Sequence, residues 1–388
     1  MLKTKVGYSV DSDSFNSGKE SAKKAMEGYT NPKLGMVFCS CVYEESEVLK
    51  GVQTISGTLP IIGCTTAGAM IVPDGIIDNA NGFSGMMLFD DEDLKVSVAG
   101  MERGNDPRET GRKIAIEAIK NAGTKVRPSY FYMVASPKEE EYYLDGIQDV
   151  IGRVPMFGGS CADNKLTGEW KILCNGEAFA DGCAVAFFYT DKDIKTEYTG
   201  AYRETKDYGI ITRVNDDRTL VEIDGLNSLE KYADWVGKNV EALKGNELLS
   251  ASITSPIGVK DPLGKLTVVR HPMFGNDDNT MNIGNKLTEG TCVVRLESSV
   301  EELVESTRTT ALELKKKLLS HPAGYVFIHC GGRKLGIGDS LEKVYDNLKS
   351  VVGTTPFITI FTFGEYGYTD NSANMCGGLM LSFTGFGE

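Results

Sequence analysis

The sequence has only three histidines, no CxxC pair and no HExxH or Ser-His-Asp motif, so the common signatures of zinc sites and catalytic triads are missing. His271 and His321 each precede a proline, and this turn-like context predicts that both lie in surface loops. The nine cysteines are scattered and odd in number, which is typical of reduced thiols that are mostly buried. Cys39 and Cys41 would share one face of a strand, and we interpret them as core residues instead of metal ligands.

Long apolar runs are also missing. No stretch approaches the roughly 20 apolar residues that span a bilayer, and residues 1–5 lead into a strand-like segment instead of the apolar core of a signal peptide. Lys and Arg number 41 against 54 Asp and Glu, and the formal charge of −13 argues against nucleic acid and against an anionic membrane. We therefore expect a cytoplasmic protein that binds neither.

The composition itself indicates a packed globular protein. The chain has 388 residues, of which 41% are hydrophobic and 24% charged, and this length is enough for two or three domains of ordinary size.

Three parts of the chain repeat one pattern: a strand, a helix, a second strand, a second helix, a strand that a proline initiates, a Gly-rich loop and a closing strand. The initiating prolines are Pro60, Pro155 and Pro356, at strand starts where a missing N–H costs least. The sequence therefore predicts a mixed α/β fold of three β-α-β-α-β-β repeats, with helices flanking mixed sheets. The repeats span residues 3–90, 94–190 and 291–388, and the third begins with a strand at 291–296.

Helix starts are marked by capping residues. Asp106 stands before Pro107, and Ser299 is followed three residues later by Glu302, which predicts a capping box. Similar signals predict helix starts at Ser136 and Asp339.

Residues 191–290, between the second and third repeats, form an insert whose sequence predicts short β elements. The chain is thus expected to divide near residue 190 into an N-terminal part, 1–190, and a C-terminal part, 191–388, that carries the insert.

Four motifs in this order resemble the FIST family, named for F-box and intracellular signal transduction proteins. The two loops after the strands that begin at Pro60 and Pro155 look like hallmarks of its N-terminal domain, and the later motifs look like its C-terminal domain. The motifs are Pro60-Ile-Ile-Gly-Cys-Thr-Thr-Ala-Gly68, Pro155-Met-Phe-Gly-Gly-Ser-Cys-Ala-Asp163, Val221-Glu-Ile-Asp-Gly225 and Phe361-Thr-Phe-Gly-Glu-Tyr-Gly367. Ala69 stands where the family often has an acidic residue, and Cys376 stands where a polar cluster usually ends.

The resemblance implies a sensory domain that binds a small ligand, an amino acid or a related metabolite, without catalysis. It also implies that some members bind haem. Because the last predicted strand ends close to Glu388, we expect the signal to pass to a separately encoded protein.

The three loops at 63–81, 158–181 and 362–376 are the expected binding site, since ligands of sheet proteins tend to sit beyond strand ends. Hydroxyl groups, backbone amides and carboxylates are the expected contacts, and Arg270 or Arg333 can hold a ligand carboxylate. The alternative is that these residues only build tight turns. The candidate ligand-binding residues are Gly63, Cys64, Thr65, Thr66, Gly158, Gly159, Ser160, Asp163, Arg270, Gly364, Glu365 and Asn371.

Other hypotheses remain open from the sequence. Gly336 and Gly338 open a helix as in a phosphate-binding loop, and Arg333 and Lys334 keep an anion conceivable there, although a helix-entry turn explains the glycines better. His329, at the end of an apolar strand, is a candidate haem ligand of a gas sensor.

An enzyme is a further alternative, with Cys64 or Cys161 as nucleophile and His329 as base. A protein-interaction scaffold is another, since the acidic composition allows it.

Overall fold

The computed structural model describes residues 1–261 and 266–388 as four β-sheets with helices packed on them. Three of these sheets have six strands and share one strand order, and the fourth is built from residues 203–297, which are the insert as the structure bounds it. The predicted mixed α/β class is confirmed.

Neighbouring strands pair in a fixed order within each sheet. The first sheet runs β1 (Lys3–Ser9), β6 (Ser84–Asp90), β2 (Pro32–Ser40), β3 (Ile61–Thr66), β10 (Ile172–Cys174), β11 (Glu177–Phe179). The second runs β7 (Lys95–Glu102), β12 (Gly182–Tyr189), β8 (Tyr130–Ala135), β9 (Met156–Ser160), β24 (Glu365–Tyr368), β25 (Asn374–Gly377). The third runs β13 (Ile194–Thr199), β26 (Leu381–Gly387), β22 (Pro322–Cys330), β23 (Phe357–Thr362), β4 (Met70–Val72), β5 (Gly75–Ile77). The fourth runs β18 (Thr267–Arg270), β17 (Ile257–Lys260), β21 (Cys292–Glu297), β14 (Arg203–Asn215), β15 (Thr219–Ile223), β20 (Met281–Ile283), β19 (Pro272–Gly275), with β16 (Leu226–Asn227) on β15.

The pairing inside the first three sheets follows the expected crossover rule. β2 and β3, β8 and β9, and β22 and β23 are parallel pairs, each joined through helical segments. The closing strands β6, β12 and β26 run antiparallel to their neighbours, which makes each sheet mixed.

A hairpin follows the third strand of each unit and pairs with the sheet of a different unit. β4–β5 leaves the first unit for the third sheet, β10–β11 leaves the second unit for the first sheet, and β24–β25 leaves the third unit for the second sheet. The three units therefore interlock in a closed ring, and strands are exchanged in both directions across residue 190.

The third unit begins differently from the prediction. Residues 291–296 were expected to supply its first strand, but β21 lies in the fourth sheet between β17 and β14. The equivalent place beside the closing strand belongs to β13, which pairs with β26 as β1 pairs with β6. The insert thus separates the first strand of this unit from its first helix. Both strands have apolar residues in alternation, so the sequence pattern could not distinguish them.

The helices cover the outer faces of the sheets. α1 and α2 pack on the first sheet, α3 and α4 on the second, and α7 and α9 on the third, while the insert has its own small core. The α-helices are α1 (Ser14–Met26), α2 (Glu45–Ser56), α3 (Pro107–Ala122), α4 (Glu140–Ile151), α5 (Ser228–Val236), α6 (Glu247–Ser252), α7 (Val300–Lys317), α8 (Gly331–Ile337) and α9 (Leu341–Val352), and 3₁₀ turns span Val240–Leu243 and Gly338–Ser340.

Two of the predicted helix starts are confirmed. The Asp106 carboxylate accepts from the first amides of α3, and Ser299 and Glu302 form a reciprocal capping box at α7. The other two helix starts are displaced, by three residues at Ser136 and by one residue at Asp339. Ser136 instead bonds Asp181 across the sheet, and α4 begins at Glu140; after Asp339 a 3₁₀ turn precedes α9. In both cases a tertiary contact or a tighter turn replaces the local cap.

The inner faces of the three repeated sheets meet in one central core. In β8, for example, Tyr132 points into this core while Phe131 and Met133 pack under α3 and α4. All nine cysteines lie in the described parts of the chain as free thiols, and seven of them are buried, as predicted. Within residues 1–261 and 266–388, no helix combines the length and apolar character that crossing a bilayer requires.

Candidate functional site

A cavity of about 800 Å³ lies where the carboxyl ends of the strands of all three units converge. Its walls come from the segments that follow β3, β9, β22 and β23, and the insert closes the remaining side through residues near 216–219 and 271–284. This is the position where open α/β sheets usually bind ligands, and the volume matches that of small-molecule sites.

Much of the cavity wall is apolar. Trp170 and Phe363 meet edge to face with ring centroids 6.0 Å apart, and they come from the second and third units. The Trp170 indole N–H donates a hydrogen bond to the Ala180 carbonyl at 3.1 Å, and this bond fixes the ring in place. Leu379 and Met273 extend this surface, and the cavity therefore suits the hydrocarbon part of a small organic molecule.

Asp163 organises the loop that forms the cavity rim. Its buried carboxylate accepts from five successive backbone N–H groups, those of residues 165–169, at distances that include 2.9 Å to Lys165 and 2.8 Å to Gly168. A carboxylate so engaged acts as the centre of a turn, and its lone pairs are turned away from a ligand.

We expect Asp163→Ala to destabilise the protein by about 2–3 kcal/mol, because the loop amides lose a charged acceptor although water can reach some of them. Urea unfolding would measure the loss, and limited proteolysis would show earlier cleavage within residues 164–169. Asp277→Ala, at an exposed position of the insert, is the matched control and should change the unfolding free energy by less than about 0.5 kcal/mol. Equal stability and equal cleavage of the two variants would contradict this role.

Three lysines give the cavity its positive charge. Lys138 and Lys165 are exposed at the rim, and Lys334, on α8, is half-buried inside. Within the described residues, none of the three has a carboxylate within 4.0 Å, so their charges are not neutralised by an ion pair. Burial lowers the pKa of Lys334, and Asp78 only partly opposes this.

Arg218 also reaches the cavity, but its charge is balanced. Its guanidinium forms ion pairs with Glu140 at 3.3 Å and with Glu141 at 2.5 Å, and it donates to the Gly284 carbonyl. Burial raises the pKa of Glu140 to about 7 although Arg218 opposes the shift. The group therefore ties α4 to the insert beneath the cavity.

His271 was expected at the surface, and this prediction is wrong. Its side chain is buried in the cavity wall, where Nε2 lies 3.2 Å from the Leu249 carbonyl, and burial lowers its pKa to about 4. The insert folds over the proline turn and buries it, which the local sequence did not indicate. His321 is exposed, as expected.

The candidates from the first loop lie in β3 and contact neighbouring strands. The Thr65 hydroxyl accepts from the Lys171 amide at 2.9 Å, and the Thr66 hydroxyl accepts from the Phe361 amide at 2.8 Å. A Cβ on Gly63 would stand 1.7 Å from the Val37 carbonyl, so only glycine fits there. Cys64 is in the central core, and burial raises its pKa to about 12.

The candidates from the second loop lie in β9 or just after it. Gly158 packs against β8, where a Cβ would come within 1.9 Å of the Met133 carbonyl, and Gly159 pairs with Glu365. The Ser160 hydroxyl bonds the Tyr366 hydroxyl at 2.6 Å. Of the twelve candidates, Asp163 alone lines the cavity as far as the described residues show.

The candidates from the third loop are split between core and surface. The Gly364 carbonyl accepts a hydrogen bond from the Ser160 amide at 2.8 Å. Asn371 is exposed, and its backbone is left-handed. Glu365 is fully buried and accepts from the Thr362 hydroxyl and the Met380 amide, each at 2.9 Å. Burial raises the pKa of Glu365 to about 8.

The arginine candidates bind carbonyl groups of the protein. Arg270 donates to the carbonyls of Lys286 and Cys376, at 3.2 and 3.1 Å. Arg333 is completely buried and donates to four acceptors on three segments. Both are thereby engaged in holding the fold together.

His329 does not fit the requirements of a haem ligand. Its ring is fully buried against Phe361, its Nδ1 lies 3.0 Å from the Cys330 carbonyl, and it is not part of the cavity wall. Nε2 has no hydrogen-bond partner in the part of the chain that the structure describes, and it faces packed protein instead of a space of haem size.

The main cavity residues that sequence reasoning missed are Trp170, Phe363, Lys138 and the insert positions. Trp170 and Phe363 belong to the predicted loops but were passed over in favour of glycines and hydroxyls. Lys334 was noted for an anion, yet at a phosphate-type turn that the structure does not form. The insert residues carry no local signal, because their place over the cavity depends on the whole topology.

No curated protein sequence matches this chain significantly. Among solved structures, a chorismatase is 6% identical with a TM-score of 0.37, covering 100% of this chain and 99% of that one. A cyanuric acid hydrolase from A. caulinodans is 8% identical with a TM-score of 0.34, covering 100% of both chains. At such TM-scores neither likeness supports an argument about fold or chemistry.

Two family models match this chain in sequence. The FIST N domain matches residues 33–226, and the FIST C domain matches residues 228–368, so that together they account for nearly the whole sequence. FIST domains are generally small-ligand sensory domains. This chain belongs to the FIST family.

Proposed function

We propose that this chain is a sensor that binds a small metabolite, an amino acid or a related compound, in the 800 Å³ cavity and signals through a separate protein. The observation that carries the proposal is the composition of the cavity wall: loops of all three units and the insert converge on it. An occupant would contact all of them at once, and binding would therefore stabilise their relative arrangement.

The rim loop offers a route from the cavity to a partner. Residues 164–169 are exposed, and they are held by the Asp163 carboxylate next to the cavity residue Trp170. A ligand that contacts Trp170 would alter the order of this loop, and the loop is accessible to a second protein. Hydrogen exchange of the loop amides should slow when the cavity is filled.

The proposal is tested by thermal unfolding in the presence of amino acids and of the corresponding 2-oxo and 2-hydroxy acids. A ligand at 100 times its Kd should stabilise the protein by about 2.7 kcal/mol and raise Tm by a few degrees. Ala67→Trp, which places an indole in the cavity, should abolish the shift. Ala242→Trp, at an exposed position away from the cavity, should preserve it.

Two results would overturn the proposal. The first is that no compound of these three classes raises Tm. The second is that Ala67→Trp, still folded by circular dichroism, responds to the compound like the wild type.

A further inference from the structure

From the charges of the cavity we infer that the ligand is an organic carboxylate without a free ammonium group, and that Lys334 binds its carboxylate. This inference rests on the proposed function, since it names the ligand class of the same cavity. It depends on three observations: the unpaired lysine, the space around its amine, and the engagement of the nearby acidic groups.

Lys334 is placed by the fold at the inner end of the cavity. It lies on α8, directly after β22, and its Nζ is 5.7 Å from the Phe361 ring centroid. The amine is half-buried, and within the described residues no carboxylate lies within 4.0 Å of it. Asp78 acts on this amine only from beyond 4.0 Å among the described residues. A partly desolvated ammonium group without a direct ion pair is costly, and an anionic ligand would supply that partner.

Gly68 provides space beside this amine. A Cβ at this position would lie 3.2 Å from the Lys334 Nζ and 3.6 Å from the Asn164 Oδ1, and the backbone has φ +72°. Glycine adopts this left-handed conformation without strain. The Lys334 amine thus stays accessible from the cavity next to an uncrowded segment of backbone, as a carboxylate requires.

The rim strengthens the preference for anions. Lys138 and Lys165 are exposed at the cavity mouth, whereas the chain as a whole has a formal charge of −13. A local positive mouth on an acidic protein directs small anions toward the cavity.

The carboxylates near the cavity are bonded to other protein groups, buried behind the wall or exposed to solvent. Asp163 accepts from five loop amides, and Glu365 is buried behind the wall with both oxygens bonded. Glu140 is paired with Arg218. Asp216 lines the mouth but is exposed to solvent, where an ion pair contributes little. The described part of the cavity therefore offers a cationic group for a carboxylate and no buried anionic group for an ammonium.

The apolar wall indicates which hydrocarbon group is attached to the carboxylate of the ligand. Trp170 and Phe363 form an aromatic corner, and Leu379 lies beside Gly332 in the same wall. A branched or aromatic group attached to the carboxylate would fill this surface.

Isothermal titration with matched ligands tests the inference. Phenylpyruvate and 4-methyl-2-oxopentanoate are compared with phenylalanine and leucine, which differ from them only at the α position, and with phenylacetamide, which has no charge. Phenyl phosphate and inorganic phosphate distinguish a carboxylate site from a general anion site. We expect the oxo acids to bind at least about tenfold more tightly than the amino acids, the amide and either phosphate.

Variants then locate the carboxylate. Lys334→Gln should weaken binding of the oxo acids by about 10- to 100-fold, as expected for loss of a charge-assisted hydrogen bond, without affecting the weak binding of phenylacetamide. Lys334→Arg, which keeps the charge, should retain the preference for anions and serves as the second variant if Lys334→Gln is poorly folded. Lys343→Gln, an exposed lysine on α9, is the control and should bind like the wild type.

The outcomes separate this inference from the proposed function. Tighter binding of the amino acids, the amide or the phosphates, or equal affinity of wild type and Lys334→Gln for the oxo acids, overturns the inference while the cavity remains a binding site. Absence of binding by every compound overturns the inference together with the proposed function.

Discussion

Replacement of Arg333 by methionine is expected to destabilise the protein by about 3–5 kcal/mol, a large effect for a polar residue that belongs to none of the hydrophobic cores. The guanidinium is completely buried, and no carboxylate forms an ion pair with it among the described residues. It donates to the carbonyls of Gly200 at 2.6 Å and Leu303 at 3.0 Å, and also to Leu379 and the Ser306 hydroxyl.

These acceptors belong to three separate segments. Gly200 follows β13, where the chain enters the insert; Leu303 and Ser306 are on α7, where it has left the insert; and Leu379 precedes β26. Methionine has a similar volume and removes the cost of a buried charge, which favours the variant. It leaves the carbonyls of Gly200 and Leu379 without this donor, however, and each costs about 1–3 kcal/mol when it stays buried, whereas the Leu303 carbonyl keeps the Ser306 hydroxyl as a donor. The second effect is larger, so we expect a net loss.

Urea unfolding followed by circular dichroism would measure this loss. Arg308→Met is the matched control, because Arg308 is exposed on the same helix that Arg333 contacts and, within residues 1–261 and 266–388, bonds only Glu305, one turn away. The control should change the unfolding free energy by less than about 0.5 kcal/mol. A loss below about 1.5 kcal/mol in Arg333→Met would show that the carbonyl groups find other donors or water.

Features that depend on local contacts were predicted better from the sequence than features that depend on contacts between distant residues. The caps at Asp106 and Ser299 were predicted correctly because the bonds involved span three residues or fewer. The first strand of the third unit was misplaced because an insert of about a hundred residues separates it from its helix. The exchange of hairpins between units had no sequence signal, since β4, β10 and β24 pair with strands that are distant in the chain.

The candidate site shows the same limit at the level of side chains. The three predicted loops do meet at the cavity, so the region followed from the repeat and from the rule on strand ends. Which side chains face the cavity did not follow, because β3 and β9 are buried on both faces and give no alternation to read. Thr65, Thr66 and Ser160 were chosen for their hydroxyls, and the structure uses these hydroxyls between neighbouring strands.

A last expectation concerns pH: stability should decrease as pH rises from 7 to 8, and Glu365→Gln should remove more than half of this decrease. Burial raises the pKa of Glu365 to about 8, above the ordinary value of about 4.5 that it regains on unfolding. Between these values the folded protein holds a proton that the unfolded chain releases, so a rise in pH favours unfolding. One proton corresponds to about 1.4 kcal/mol per pH unit.

The comparison of the wild type with Glu365→Gln isolates this group from others with shifted pKa values. Glu45 and Glu140, whose pKa values burial raises to about 7, act in the same direction and contribute about 0.3 kcal/mol each between pH 7 and 8. Buried cysteines such as Cys39 and Cys183, whose pKa values burial raises, also act in this direction. His271, with its pKa lowered to about 4 by burial, and His329, whose pKa burial also lowers, act in the opposite direction, mainly below their unfolded value of about 6.5. The difference in slope between the two proteins is therefore due to Glu365.

Urea unfolding at pH 7.0, 7.5 and 8.0 would test this, with the exposed Glu342→Gln as control. We expect the wild type and the control to lose about 1.5–2 kcal/mol across the interval and Glu365→Gln to lose about 1 kcal/mol less. Parallel slopes in all three proteins would show that Glu365 is ionised in the folded state. The result also bears on the ligand: a neutral Glu365 cannot bind an ammonium group, whereas an ionised one next to the cavity would favour an amino acid and weaken the case for a simple carboxylate.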